Sequence, residues 1–281
     1  MRFRLNLWAL LVVIVFIPGL AGMRSPDAKD HFKQGLAAMR EGKYDQALAQ
    51  FTQALELDPK YADAYNSRGN IYLAMHQYDR AISDYTKAVE LNSKYSEAYN
   101  NRGFAYQNKE RYEQALSDFT RAVELNPKNF VAYNSRGALY TKKQQYDLAI
   151  SDFTRAVELQ TRYADAYSNR GIAYWSKGEY DNAISDYTKT LELNPRHVLA
   201  YSNRGLAYAR KGQYDRAIAD YTKATEIEPS YARAYVRRAW AYYHLKNYDQ
   251  AWADVHIAQH LGQGFRARFL ADLRQASGRD K

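Results

Sequence analysis

Ala164–His197 reads ADAYSNRGIAYWSKGEYDNAISDYTKTLELNPRH, and the same 34-residue block recurs along most of the chain. Copies begin at Ala28, Ala62, Ser96, Phe130, Ala164, Val198 and Ala232 with no insertion or deletion between them, which makes 28–265 a run of seven units: 28–61, 62–95, 96–129, 130–163, 164–197, 198–231 and 232–265. In the quoted copy Tyr167, Gly171 and Tyr174 fall at i, i+4 and i+7, one face of a helix spanning roughly positions 1 to 14 of the block. Ala183, Tyr187 and Thr190 do the same for a second helix over roughly positions 18 to 31. A pair this short cannot bury its apolar side alone, so the core has to be a ribbon between stacked pairs. The 27 tyrosines, odd for an ordinary domain, are explained by this repetition, since nearly all occupy fixed positions of the block.

The pattern Y-x2-R-G-x2-Y, then A-x3-Y/F, a further Ala and often Pro, at a constant period of 34, resembles the tetratricopeptide repeat (TPR), a helix-turn-helix unit. The resemblance covers about five-sixths of the chain. It implies an all-α fold, a right-handed α-solenoid of seven repeats, in which residues 266–277 resemble the helix that caps a last repeat, with Phe269, Leu270 and Leu273 turned inward. The chain departs from the family where it carries Tyr and Arg in place of Trp and Leu.

Small residues mark the crossing of the two helices of each unit: Gly35, Gly69, Gly103, Gly137, Gly171 and Gly205, with Ala239 in the last copy. They let the axes approach to about 8 Å while neighbouring rings fill the sides. Tyr44, Tyr78, Tyr112, Tyr146, Tyr180, Tyr214 and Tyr248 fall at the turn between the helices and are expected to pack as core rings. Beside the small residue of every copy after the first stands an arginine, and a charge there needs a partner. The spacing predicts six pairs within the repeats: Arg68–Asp84, Arg102–Asp118, Arg136–Asp152, Arg170–Asp186, Arg204–Asp220 and Arg238–Asp254. In the first copy both members change together, to Gln34 and Gln50. Asp45, Asp79, Glu113, Asp147, Asp181, Asp215 and Asp249 open the second helices, where negative charge suits the helix dipole.

Residues 1–22 are different in kind. Arg2 and Arg4 precede an apolar run from Leu5 to Ile17, then Pro18-Gly19 and Ala21. This reads as a signal peptide cleaved after Ala21, or as an N-terminal membrane anchor and tether if it is kept. Either way the repeats are expected to be exported, to a periplasm or cell envelope: secreted if the leader is cleaved, anchored in the inner membrane if it is not. Ser25-Pro26 predicts the start of the first helix directly after it.

The formal net charge of +9 is moderate for this length, and basic residues mostly alternate with acids, which argues against a nucleic-acid partner. Cys is absent, so there is no disulfide framework and no thiolate nucleophile. No phosphate loop, nucleophile elbow or zinc-protease motif occurs, and neither a catalytic residue nor a cofactor site is expected. His256 and His260 lie four apart on one helix face, but two ligands without a third do not make a metal site.

What remains is the wall built by the first helices. The resemblance implies a concave groove there that binds extended peptides or partner helices, chiefly through block positions 2, 5, 6, 9, 12 and 13. Positions 5 and 6 carry Asn66, Asn100, Asn101, Asn134, Asn169 and Asn203; a row of amides can donate to and accept from a ligand backbone whatever its side chains. It is similar to the asparagine ladders of some peptide-binding TPR superhelices. Positions 9 and 12 turn apolar late in the chain, at Ile172, Trp175, Leu206, Trp240 and Tyr243, which are candidate anchors. Arg233 and Arg237, with Asn203, resemble part of the carboxylate clamp of chaperone-binding TPR domains, although Ser168 and Ile172 replace its earlier members. The reading is therefore a non-enzymatic adaptor with a protein or peptide partner; the alternative is a structural subunit of an envelope assembly that self-associates or docks by its convex or end surfaces.

Overall fold

The computed structural model describes residues 26–278, and the leader read from residues 1–22 lies outside them, as does Ser25. Fifteen helices and no strand occur among the described residues. The first helices of the seven pairs are α1 (Ala28–Arg40), α3 (Ala62–Ala74), α5 (Ser96–Asn108), α7 (Phe130–Lys142), α9 (Ala164–Lys177), α11 (Val198–Arg210) and α13 (Ala232–His244). Their partners are α2 (Tyr44–Leu57), α4 (Tyr78–Leu91), α6 (Tyr112–Leu125), α8 (Tyr146–Leu159), α10 (Tyr180–Leu193), α12 (Tyr214–Ile227) and α14 (Tyr248–His260), and α15 (Ala267–Ser277) closes the stack. The all-α solenoid of seven pairs and a cap is the fold expected from the repeat.

Each odd-numbered helix of the pairs touches the next odd-numbered one, whereas successive even-numbered helices make no comparable contact. The odd helices therefore line the short, inner side of the curve. At the first six crossings a glycine faces a ring of the second helix: a Cβ on Gly69 would stand 2.7 Å from the Tyr85 ring, and one on Gly35 2.6 Å from Phe51. In the last pair Ala239 is accommodated because Val255 occupies the ring's place, and both are fully buried. Small residue and large ring are thus one device, legible as a Gly–aromatic pairing that becomes Ala–Val.

Two boundaries differ from those expected. The second helices begin one residue earlier, at the tyrosine itself, because the residue before the tyrosine has φ near −85° and ψ near 65° and acts as the N-cap, as at Gln77 (φ −87°, ψ 63°). Those tyrosines are consequently half-buried rather than core, and Tyr44 is exposed. At the start of the chain the cap is Asp27, not Ser25-Pro26: its side chain accepts from the Lys29 and Asp30 backbone, and Asp30 returns the bond to complete a capping box.

The cap α15 docks through Phe269 and Leu273, both buried, while Leu270 is half-buried. No helix among the described residues is long and apolar enough to cross a membrane.

Candidate functional site

The arginines that stand beside the glycines are tied up in the scaffold. Arg68 donates from Nε and Nη2 to the two carboxylate oxygens of Asp84, both at 2.8 Å, and the same two-pronged geometry joins Arg102–Asp118, Arg136–Asp152, Arg170–Asp186, Arg204–Asp220 and Arg238–Asp254. Each guanidinium also donates from Nη1 to a threonine of the preceding repeat, as Arg68 does to Thr52 at 3.2 Å and Arg204 to Thr188 at 3.0 Å. It lies beside one or two tyrosine rings of its own helix, for Arg102 the rings of Tyr99 and Tyr106. The pair is an intra-repeat bond with an inter-repeat third arm, and it offers nothing to a ligand.

Four of the acids that open the second helices have partners too. Lys109, Lys143, Lys177 and Lys211 reach back from one repeat to Asp79, Glu113, Asp147 and Asp181 of the one before. These exposed bridges stitch the four middle junctions, a role the dipole argument did not supply.

On the inner wall the asparagines sit close together but are less free than a ladder requires. Asn101 donates to Asn66 at 3.2 Å and to Asn70 at 3.0 Å, and Asn169 donates to Asn134 at 3.1 Å. Position 6 of one repeat thus bonds position 5 of its predecessor, and Arg237 repeats the arrangement by donating from Nη1 to the carbonyl and hydroxyl of Ser202 and to Asn203. Asn134 also donates to the Tyr163 hydroxyl at 3.3 Å, and the Tyr85 hydroxyl donates to Asn70. Asn66 and Asn100 are buried, which narrows the accessible part of the row to Asn101, Asn134, Asn169 and Asn203, all half-buried.

Asn100 is the exception in bonding. It is only 7% exposed, and its Oδ1 accepts no hydrogen bond within the protein. It lines a cleft of about 470 Å³ together with Asn66, Asn70, Asn101, Asn126 and Asn129. A buried carbonyl left without a donor costs about 1–3 kcal/mol, so this is the point on the wall where an incoming N–H or O–H gains most.

The apolar candidates divide. Ile172 and Trp240 are exposed, and Leu206, Trp175 and Tyr243 are half-buried. Trp240 stacks on Phe269 of the cap at 4.2 Å and Tyr243 meets the same ring edge-on at 5.7 Å, so part of the expected anchor surface is covered by the chain's own last helix. Trp175 is packed against Tyr180, and its indole Nε1 is buried without a partner. Sequence reasoning passed over Phe104, which holds the same block position as Ile172 and Trp240 and is 44% exposed, and also Val131 and Leu199 at position 2. Positions 2 and 9 are both among the groove positions named above, so reading them for apolar residues in every repeat finds all three.

Arg233 is exposed and does not line the cleft that Arg237 lines; there Arg237 is joined instead by Arg210 and Arg266. Among the described residues no cluster of three or more His, Asp or Glu side chains is placed to hold a metal, and His256 lies against the Trp252 ring.

Comparison with known proteins agrees with the fold. Models of the tetratricopeptide repeat match residues 62–95, 96–129, 128–196, 168–230 and 208–253, and a TPR repeat model matches 35–76. Among solved structures, YrrB, described as a TPR protein with an unusual peptide-binding site, is 31% identical, with 66% of this chain and 95% of that one covered and a TM-score of 0.55. MamA is 32% identical over 59% of this chain and 96% of its own, with a TM-score of 0.54. A tetratricopeptide repeat protein from Parabacteroides merdae, 22% identical, covers 89% of this chain and 98% of its own with a TM-score of 0.63, a likeness of fold. No curated protein matches the chain.

Proposed function

Because the chain belongs to the tetratricopeptide repeat family, whose members are in general non-catalytic interaction modules, we propose that it is a scaffold that holds an extended segment of a partner protein along the wall of α3, α5, α7, α9, α11 and α13. The observation that carries this reading is Asn100: a buried amide oxygen without a donor, in a cleft lined mainly by amides, with Glu97, Lys128, Phe130 and Val131 making up the rest. A main-chain N–H of an extended ligand supplies the missing donor, and the neighbouring amides can accept or donate to the next peptide group. Phe104, Val131, Ile172 and Leu199 give apolar contact along the same wall without requiring any one side chain. That YrrB is a TPR protein with an unusual peptide-binding site supports the same use of the fold. On the pattern of residues 1–22 we place this work in the cell envelope, with the repeats exported.

The reading is tested by replacing Phe104→p-benzoylphenylalanine in the full chain and irradiating in the native host. A discrete cross-linked partner is expected from position 104 and should be lost when Asn101→Ala is added. Cross-links from Lys87→p-benzoylphenylalanine on the outer helix α4, with none from position 104, would overturn groove binding and favour assembly through the convex surface.

A further inference from the structure

The amide cleft lies over the second to fourth repeats, but the inner wall carries a second cleft of different chemistry at its C-terminal end. It encloses about 450 Å³, and its walls are apolar and flat: Leu206 from α11, Tyr214 from α12 and Trp240 from α13. Tyr214 is stacked on His244 at 4.7 Å with the rings within 4° of parallel, and Trp240 is held by Phe269, so these surfaces are already fixed before anything binds.

Arginine is the only acidic or basic residue type around it apart from His244, and there are three: Arg210, Arg237 and Arg266. None has a carboxylate partner among the described residues, in contrast to the six arginines of the scaffold, each clasped by its aspartate. Arg237 spends Nη1 on Ser202 and Asn203 and keeps Nε and Nη2. Arg210 stands over the Trp175 ring at 6.0 Å. Arg266 comes from the turn before α15, where its carbonyl accepts from the Phe269 backbone, so docking of the cap brings in the third cation. Burial pushes the Tyr221 hydroxyl at this cleft above the usual phenol range, with Arg237 and Arg210 pulling it back and Asp220 pushing it up. Unpaired guanidiniums around an apolar floor complement a carboxylate carried next to an apolar group, since each guanidinium can fork onto carboxylate oxygens while the floor removes apolar surface from water. Three cations from three elements carry more positive charge than the single negative charge of one chain terminus neutralises.

We propose that this cleft takes an acidic stretch of the partner protein in which side-chain carboxylates flank an aromatic or large aliphatic residue. The inference rests on the groove reading above and gives the ligand a polarity, with its uncharged stretch over α3–α7 and its acidic stretch over α11–α13.

The test is fluorescence anisotropy on the full chain with short Gly/Ser peptides, acetylated and amidated at their ends, that carry Glu-Phe-Glu, Gln-Phe-Gln or Glu-Ser-Glu at the centre. The Glu-Phe-Glu peptide is expected to bind at least about tenfold tighter than either control. The exposed-surface variant Arg210→Gln/Arg266→Gln should lose that factor and flatten the salt dependence, while its circular dichroism and melting stay as in the parent. Equal binding of the Gln-Phe-Gln peptide, an unaffected double variant, binding that appears only with an unblocked C-terminus, or equally tight binding of an oligothymidylate would each overturn the inference. If the acidic peptide fails while position 104 still cross-links a partner, the cleft is not an acid site and groove binding stands.

Discussion

The arginine–aspartate fork is where a single residue decides most. Asp186 is buried, and burial pushes its carboxyl above the usual range against the pull of Arg170; the same holds for Asp220 and Asp254. A carboxyl whose folded pKa lies above its unfolded one lends stability below the unfolded pKa and withdraws it as pH rises through the folded pKa, so these three aspartates do not drive acid unfolding. Arg170→Met removes the one group that lowers Asp186, and an unpaired buried carboxylate costs about 3–5 kcal/mol near neutral pH. The loss should shrink toward acid pH, where the carboxyl takes a proton. Urea unfolding at about pH 7.5 and about pH 4.5 checks the sign, and Arg170→Met/Asp186→Leu should recover most of the neutral-pH loss. The pair itself was legible because copy one changes both members at once, and there Gln50 lies 2.8 Å from His31 instead. The third arm was not read, although its signal is present. Thr52, Thr86, Thr120, Thr154, Thr188 and Thr222 occupy one position in every copy that is followed by an arginine-bearing repeat, and in the last copy that position is His256.

At the scale of the element, the turn inside each pair sets the helix ends. Position 15 of the block adopts a left-handed backbone: Gly42, Gly178 and Gly212 in three repeats, but His76, Glu110, Gln144 and Lys246 in four, with φ of 58–60°. A non-glycine residue there costs about 1–2 kcal/mol, and glycine returns roughly 0.5–1 kcal/mol of that as lost chain entropy. Glu110→Gly should therefore stabilise the chain by about 0.5–1 kcal/mol, read as a higher melting temperature, with Gly178→Ala shifting it the other way. The four exceptions also show why the boundary reading slipped by one residue. Helical periodicity locates the faces of a helix to within a turn, but the first residue is fixed by backbone dihedrals at the cap, and a tyrosine that opens a helix looks in sequence like a ring at a turn. The cap at Asp27 is the same lesson, since three residues after Asp27 comes Asp30 and the box between them was available in the sequence.

For the whole molecule the relevant fact is that each repeat bonds only its neighbours, so stability is a sum of local and nearest-neighbour contributions. The Arg–Thr arm, the Lys–acid bridges and the position 6 to position 5 amide bonds all cross junctions, which explains why the asparagine row could be placed by sequence but not its occupancy. Position alone puts an amide on the inner wall; whether it is free depends on the residue one repeat away, as Asn101 with Asn66 and Asn169 with Asn134 show. The last junction is closed by different means, because Trp252, Val255 and Ala239 have no eighth pair and are covered by Phe269 and Leu273 of α15. Deleting a buried Phe ring costs about 3–5 kcal/mol in a compact domain. In a one-dimensional stack that cost cannot exceed what holds the terminal pair in place, because the end can melt without the middle. Phe269→Ala should accordingly abolish amide-exchange protection in α13–α15 while α5–α8 keep theirs, and Phe153→Ala in the fourth repeat should lower protection on both sides of the break. Uniform loss along the whole chain from Phe269→Ala would instead make the solenoid a single cooperative body. Arg266 and Trp240 share the fate of that last junction, so the same variant should weaken the acidic-peptide cleft and leave the amide cleft at Asn100 intact.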